Sequence, residues 1–326
     1  LKSAKIIGTG SYLPKKILTN FDLEKIVDTS DKWIRTRTGI RERHIAADNE
    51  AASDLVVNAA RKAMEMASIE PKNIDTIIVG TISPDTPFPS TGCWVGTALG
   101  IEGIPAFDVS AACSGFLYGF IIGNSLIESG VAKRVLVAGV EVLTRITNWE
   151  DRSTCVLFGD GAGAVILEES DDESGVLSSY WGADGSLGEL LIQKAGGSRM
   201  PATHGTVDKN LHTIYMKGNE VFKHAVRAMA LSAEKAMKKA GVKPSELSLF
   251  IPHQANIRII KATIKRFGIP LDKTVVTIDR IGNISAATIP ISLDVAVREG
   301  RVKKGDLLLF DAFGGGFTWG SILVRW

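Results

Sequence analysis

The sequence predicts an α/β protein built from two related halves. Three observations lead there. Strand-like and helix-like segments alternate along the chain. A stretch beginning at Lys62 recurs at Lys235, an offset of 235 − 62 = 173 residues. The 326 residues are long for one ordinary core but suit a duplicated unit.

Residues 1–8 read as a strand, and residues 53–67 carry the apolar spacing of an amphipathic helix. The apolar, β-branched run 74–80 is again strand, as is 104–109, which breaks at a turn of small residues. From Cys113 the pattern becomes helical, with Phe116, Leu117, Phe120, Ile121, Leu126 and Ile127 at three- and four-residue spacings, ending near Gly130. Residues 134–140 return to strand. This order implies a largely parallel sheet covered by helices. In the second half, residues 235–244 repeat 62–71, and the strand 247–252 keeps the offset of 74–79. Glu128-Ser129-Gly130 is echoed by Glu299-Gly300-Arg301. Between these matches, 109–114 is set opposite 279–284. Matches in one order indicate an internal duplication. The polar run 168–175 marks the boundary, giving halves 1–172 and 173–326.

Composition narrows the function. With 45% hydrophobic and 23% charged residues, the chain is globular, and a net charge of +2 gives no global field for nucleic acid. Cys93, Cys113 and Cys155 have no metal-type spacing, and an odd number argues against a disulfide framework. The expectation is a soluble, cytoplasmic protein, since no apolar run reaches membrane-spanning length and residues 1–8 lack a signal peptide's apolar core.

The reactive residue types lie just after strands, where α/β folds bind ligands. Cys113 falls at a helix start, where the helix dipole is expected to lower a thiol pKa and make a nucleophile. His253 follows a strand directly, at the position matching Gly80 in the first half. His44, His204, His212 and His224 lack that context and read as locally bonded. Asn283 sits in a Gly-Asn turn that opens a helix. Gly314, Gly315 and Gly316 interrupt two strands, which glycine would only weaken, so close backbone approach is their expected use. Each has a plain alternative: packing for Cys113, a hydrogen-bonded loop for His253, an N-cap for Asn283 and a tight turn for the glycines.

Together, Ala112-Cys113-Ser114-Gly115, Pro252-His253-Gln254-Ala255-Asn256, Gly282-Asn283-Ile284-Ser285-Ala286 and Phe313-Gly314-Gly315-Gly316-Phe317 resemble the β-ketoacyl-[acyl-carrier-protein] synthase III family. The likeness runs essentially end to end, through residues 33–40 and 158–163; Ile284 departs from it where threonine is expected. It implies a thiolase-like fold, two pseudo-symmetric halves in α-β-α-β-α layers. It also implies the initiating condensation of type II fatty-acid synthesis: acetyl-CoA, or another short acyl-CoA, and malonyl-acyl-carrier-protein give acetoacetyl-acyl-carrier-protein, CoA and carbon dioxide. No metal or cofactor is implied beyond the thioester substrates.

The resemblance assigns acyl transfer to Cys113, enolate stabilisation to His253 and Asn283, an oxyanion hole to the Cys113 and Gly315 amides, and shielding of the cleft to Phe313. Trp33 and Arg152 would hold the CoA adenine between them, Arg37 a phosphate, and Gly218 and Asn256 the pantetheine arm. Residues Gln254, Ala255, Asn256, Ile257 and Arg258 lead into a helix with Lys261 and Lys265 on the face of Arg258; with Arg266 and Lys223 they would meet the acidic acyl carrier protein. Phe88 would reach across a homodimer to bound the acyl pocket. Three rivals are a papain-like protease, which lacks its cysteine signature here, a catalytically silent acyl- or CoA-binding protein, and a relative that primes polyketide or alkylquinolone synthesis.

Overall fold

The computed structural model describes residues 3–326; Leu1 and Lys2, part of the expected first strand, lie outside them. That strand runs Ala4–Tyr12. Two mixed sheets dominate. The first orders its strands Ala4–Tyr12, Asp160–Glu169, Arg134–Val142, Thr76–Gly80, Ala106–Val109. The second orders Leu249–Pro252, Leu307–Gly314, Thr318–Arg325, Gly175–Ala183. The polar residues 170–174 connect them.

The expected largely parallel sheet is a correction. Thr76–Gly80 pairs in parallel with both neighbours, and Leu249–Pro252 pairs in parallel with Leu307–Gly314. The remaining pairings of the two sheets are antiparallel. Physical reach explains this: a parallel return needs a long crossover, whereas the three residues 315–317 between Leu307–Gly314 and Thr318–Arg325 allow only a hairpin.

Helices fill the layers around these sheets. Ala52–Ala67 buries Leu55, Val56, Ala59, Ala60 and Ala63 on the outer face of the first sheet. Gly115–Glu128 and Thr288–Arg298 lie between the sheets, and Gly218–Ala240 covers the second from outside. One apolar core joins both halves: Phe116, Phe120 and Val137 from the first meet Leu293, Leu308, Phe310 and Ile322 from the second. The Phe120 and Phe310 rings are 6.2 Å apart.

The duplication recurs in backbone detail, with a changed register at its centre. The 3-10 turn Ala112–Ser114 and the helix Gly115–Glu128 match the turn Ser285–Ala287 and the helix Thr288–Arg298, since 285 − 112 = 288 − 115 = 173. The alignment of 109–114 with 279–284 is three residues out, because both segments lead from a strand into a helix and that likeness does not set the register. The correct register aligns Ala112 to Ser285, and both hold left-handed backbone, φ +45° and +43°.

These two turns pack against the sheets with no space for side chains. A Cβ on Gly139 would stand 2.3 Å from the Ala286 carbonyl oxygen. Gly139→Ala is therefore expected to destabilise the protein by about 1–3 kcal/mol. Urea unfolding would read this, and an unchanged midpoint would refute the close contact.

Candidate active site

Cys113, His253 and Asn283 come from three separate turns and line one cleft of about 320 Å³. Its wall is mostly apolar, including Leu191, Val221, Met229 and Ile259.

Cys113 stands in the 3-10 turn Ala112–Ser114, just ahead of the Gly115–Glu128 helix. The glycine turn approaches it closely: a Cβ on Gly314 would meet the Cys113 backbone nitrogen at 2.5 Å. The expected lowering of the thiol pKa is overturned. Burial among these turns pushes it up to about 12; the neighbouring Glu141 charge adds to the rise, and the nearby Ser285 side chain and the Cys113 and Gly315 amides oppose it. The helix-end argument left out the cost of desolvating a thiolate.

His253 is buried directly after the Leu249–Pro252 strand, and burial lowers its pKa to about 3. Its Nδ1 lies 2.6 Å from Thr288 Oγ1, which also accepts from the Gln254 N–H at 3.2 Å. The Thr288 hydroxyl has two acceptors in reach, Nδ1 and the Ser285 carbonyl at 3.1 Å. We assign its proton to the shorter contact, which places the ring proton on Nε2. Asn283 uses Oδ1 to accept from the Ser285 N–H at 2.9 Å, capping the next turn, and its backbone bridges to Leu157 and Gly159. Its Nδ2 remains as a donor for the cleft it lines.

Trp33, Arg37, Gly218 and Asn256 border the same cleft. Arg152 lies over the Trp33 ring, 5.0 Å from its centroid, and donates to the Asp28 carbonyl. A flat base between them needs two contacts of about 3.5 Å each, so Arg152 must move to admit one. Phe313 is buried, lines the cleft and packs on Phe317, with ring centroids 4.6 Å apart.

The basic surface is partly as expected. Arg258, Lys261, Lys265 and Arg266 are exposed on the helix Ile257–Phe267, and Arg258 lies over the Phe222 ring. Lys223 is exposed and paired with Glu220. Ala255 lines the cleft, and Ile257 packs under Gly39. Gln254 is a correction to the docking set. It is fully buried; its amide donates to the Pro252 and Val275 carbonyls and accepts from the Thr277 and Ile278 N–H groups, so no polar atom is left for a partner. Phe88 is 85% exposed and lies outside the lining of this chain's own cleft.

Sequence reasoning missed Glu141, Ser285 and Thr288. Glu141 left one signal, a carboxylate in the otherwise apolar run 135–142. Thr288 and Ser285 left none, because small hydroxyl residues at a helix start suit a cap equally well.

The comparisons agree with this geometry. A family model described as 3-Oxoacyl-[acyl-carrier-protein (ACP)] synthase III matches residues 107–185, and its C-terminal counterpart matches 237–326. The chain is 53% identical to β-ketoacyl-[acyl-carrier-protein] synthase III of Caldanaerobacter subterraneus subsp. tengcongensis over 99% of this chain and 98% of that protein. It belongs to the β-ketoacyl-[acyl-carrier-protein] synthase III family. The synthase III of Xanthomonas campestris pv. campestris is 54% identical, with the same coverage. The crystal structure of 3-oxoacyl-[acyl-carrier-protein] synthase III from Aquifex aeolicus VF5 superposes with a TM-score of 0.92, at 52% identity, over 99% of this chain and 100% of that one. Membership makes the protein an acyltransferase condensing enzyme with the thiolase-like fold.

Low His253 basicity has a measurable consequence. The folded pKa, about 3, lies below the ordinary 6.5, so the unfolded chain binds the extra proton first. This contribution to stability is complete above about pH 6.5 and is lost as pH falls toward 3. Nitrogen-15 NMR should show a neutral His253 ring, protonated at Nε2, from pH 8 to 5. A titration within that range would overturn the assignment.

Proposed function

We propose that this chain is the initiating condensing enzyme of type II fatty-acid synthesis, joining an acetyl or other short acyl group from CoA to malonyl-acyl-carrier-protein. The observation that carries the proposal is the convergence of a thiol, a neutral imidazole and a free carboxamide donor in one largely apolar cleft.

Each group suits one step. Cys113 attacks the thioester carbonyl and holds the acyl group, splitting a hard transfer into two. The Cys113 N–H and the N–H of Gly315, in the glycine turn packed against the cysteine turn, receive the developing oxyanion. When malonyl thioester loses carbon dioxide, its carbonyl oxygen gathers enolate charge. His253 Nε2–H and Asn283 Nδ2 donate to it, and the resulting carbanion attacks the acyl-Cys113 carbonyl. This chemistry requires no metal or cofactor. Phe313 keeps water from the acyl-enzyme. The CoA adenine enters by parting Arg152 from Trp33, while Arg37 meets a phosphate, and Gly218 and Asn256 border the pantetheine arm.

The carrier protein docks on Arg258, Lys261, Lys265 and Arg266, with Lys223, Ala255, Asn256 and Ile257 at the mouth. Support for this comes from four exposed cations on the helix that begins four residues after His253. We place the enzyme in the cytoplasm as a homodimer, each copy's Phe88 closing the other's acyl pocket. The exposure of that ring away from its own cleft supports this. Among the described residues, no helix is long and apolar enough to cross a membrane. A polyketide-priming role has some support: a priming β-ketosynthase from the R1128 polyketide pathway is 33% identical with a TM-score of 0.91. The identities above 50% favour fatty-acid synthesis.

Intact-protein mass after mixing with acetyl-CoA should show one acetyl adduct, absent from Cys113→Ala. An adduct formed only with longer or branched acyl-CoA would move the primer and keep the mechanism; none with any acyl-CoA would sink it. Arg258→Glu with Lys261→Glu should raise KM for malonyl-acyl-carrier-protein at least tenfold and flatten its salt dependence. KM for acetyl-CoA should stay within about twofold. Equal effects on both substrates would place the carrier elsewhere.

A further inference from the structure

Among the described residues, the largest fully buried side chain is a cation. Arg43, in the short strand Glu42–Ile45, has no exposed surface, although the steps of condensation do not use it. Its partners are all neutral. Nη1 donates to the Leu18 carbonyl at 3.1 Å and to Asn20 Oδ1 at 2.9 Å, and Nη2 donates to the Val156 carbonyl at 2.8 Å. Its Nε has no partner. Burial lowers its pKa to about 10, so the guanidinium remains charged near neutrality. A charge buried among neutral groups costs more than an apolar side chain of the same volume. What it holds explains its place.

Two sides of the cleft meet at this side chain. On one side, Asn20 is itself fully buried, and its Nδ2 donates to Asp31 Oδ1 at 2.9 Å and to the Ile40 carbonyl at 2.8 Å. Asp31 opens the helix Asp31–Thr38, and Ile40 follows its end. Asn20 therefore grips both ends of the helix that brings Trp33 and Arg37 to the cleft. On the other side, Val156, Leu157 and Phe158 line the cleft. The Asn283 N–H donates to the Leu157 carbonyl at 2.9 Å, and the Gly159 N–H donates to the Asn283 carbonyl at 3.1 Å. Asn283 is thus tied to the segment whose Val156 carbonyl Arg43 holds. The packing leaves no slack: a Cβ on Gly159 would stand 3.0 Å from the Arg43 Cβ, and one on Gly282 would stand 3.1 Å from it. Arg43 makes no hydrogen bond to the Cys113 turn, which packs on Gly314 instead.

We propose that Arg43 is a positioning residue for the condensation, fixing the helix of Trp33 and Arg37 and the turn of Asn283 in one arrangement. Its planar guanidinium points one nitrogen at the Asn20 amide and the other at the Val156 carbonyl, a fork that an ammonium cannot reproduce. It touches no reacting atom. Its loss frees the 156–158 segment and, with it, the carboxamide that meets the enolate oxygen. The seat of the CoA adenine loosens as well. Attack by Cys113 on a bound thioester is spared, since that turn is built from other contacts. The inference rests on the roles of Asn283 and Trp33 in the proposed function.

The test compares Arg43→Lys and Arg43→Met with the parent in two separate steps, on protein shown by circular dichroism to be folded at the assay temperature. Lysine keeps the charge and the stem without the fork; methionine keeps only an apolar stem. Acetylation of Cys113 at saturating acetyl-CoA, read as intact mass after rapid quench, should stay within about threefold of the parent. Single-turnover release of carbon dioxide from malonyl-acyl-carrier-protein by the acetylated enzyme should fall roughly 30-fold, because a slightly displaced donor no longer meets the enolate oxygen. The KM for acetyl-CoA should rise about fivefold. Asn20→Ala cuts the link to the helix while Val156 stays bound, so it should raise that KM with a smaller loss of carbon dioxide release; it decides the matter if neither Arg43 variant folds. Equal losses in both steps, no loss in either, or an unchanged KM in Asn20→Ala would overturn the link. The Asn283 Nδ2 nitrogen-15 signal, assigned from Asn283→Asp, should shift in Arg43→Lys whether or not the parent condenses, and an unmoved signal would overturn the positioning. A parent that takes no acetyl group and releases no carbon dioxide, with that shift present, would sink the condensing function and leave the link intact.

Discussion

Nothing larger than hydrogen fits between the Cys113 turn and the glycine turn that faces it. A Cβ at Gly314 would overlap the Cys113 backbone nitrogen. That contact brings the end of the second sheet against the head of the central helix Gly115–Glu128 and sets Gly315 beside the cysteine turn. The opposite wall is as tight, because Gly139 admits only the Ala286 carbonyl. The reactive thiol is thus clamped between both halves, and its neighbours are determined by backbone packing.

Burial then sets the electrostatics of the site. It holds the Cys113 thiol and the Glu141 carboxyl above their ordinary ranges and His253 below its own. Near neutral pH the Cys113 and His253 side chains carry no charge at rest, while Asn283 is already placed by its bond to the next turn. Charge arises as bonds change, in surroundings where a fixed donor is worth more than in water. A cleft with a resting thiolate and imidazolium would bind water and anions more strongly and would be harder to keep dry.

The strand-end residues were legible in the sequence because chemistry and position coincide there. Cys113, His253 and Asn283 each follow a strand in an unusual local setting, and the 173-residue repeat is written in residues 62–71 and 235–244. Other features were hidden for definite reasons. The thiol's direction was misread because helix position is local, whereas desolvation depends on Gly314 and Ser285, far away in sequence. Gln254 was misplaced because a strand-end amide can turn either way, and here it turns inward to hold residues 275–278. The sheet was taken as largely parallel because alternation shows the order of elements and not their direction. His253 and Thr288 meet only after folding.

The single core shared by both sheets bears on how the protein is made. Phe116, Phe120 and Val137 are synthesised well before their partners Leu293, Leu308, Phe310 and Ile322. While the ribosome works through the second half, the emerging first half carries an apolar face with nothing of its own to cover it, a state open to aggregation. The cysteine turn lacks its facing wall until the glycine turn, 314 − 113 = 201 residues later, has been made. A chain arrested before residue 314 therefore lacks the backbone that packs against Cys113.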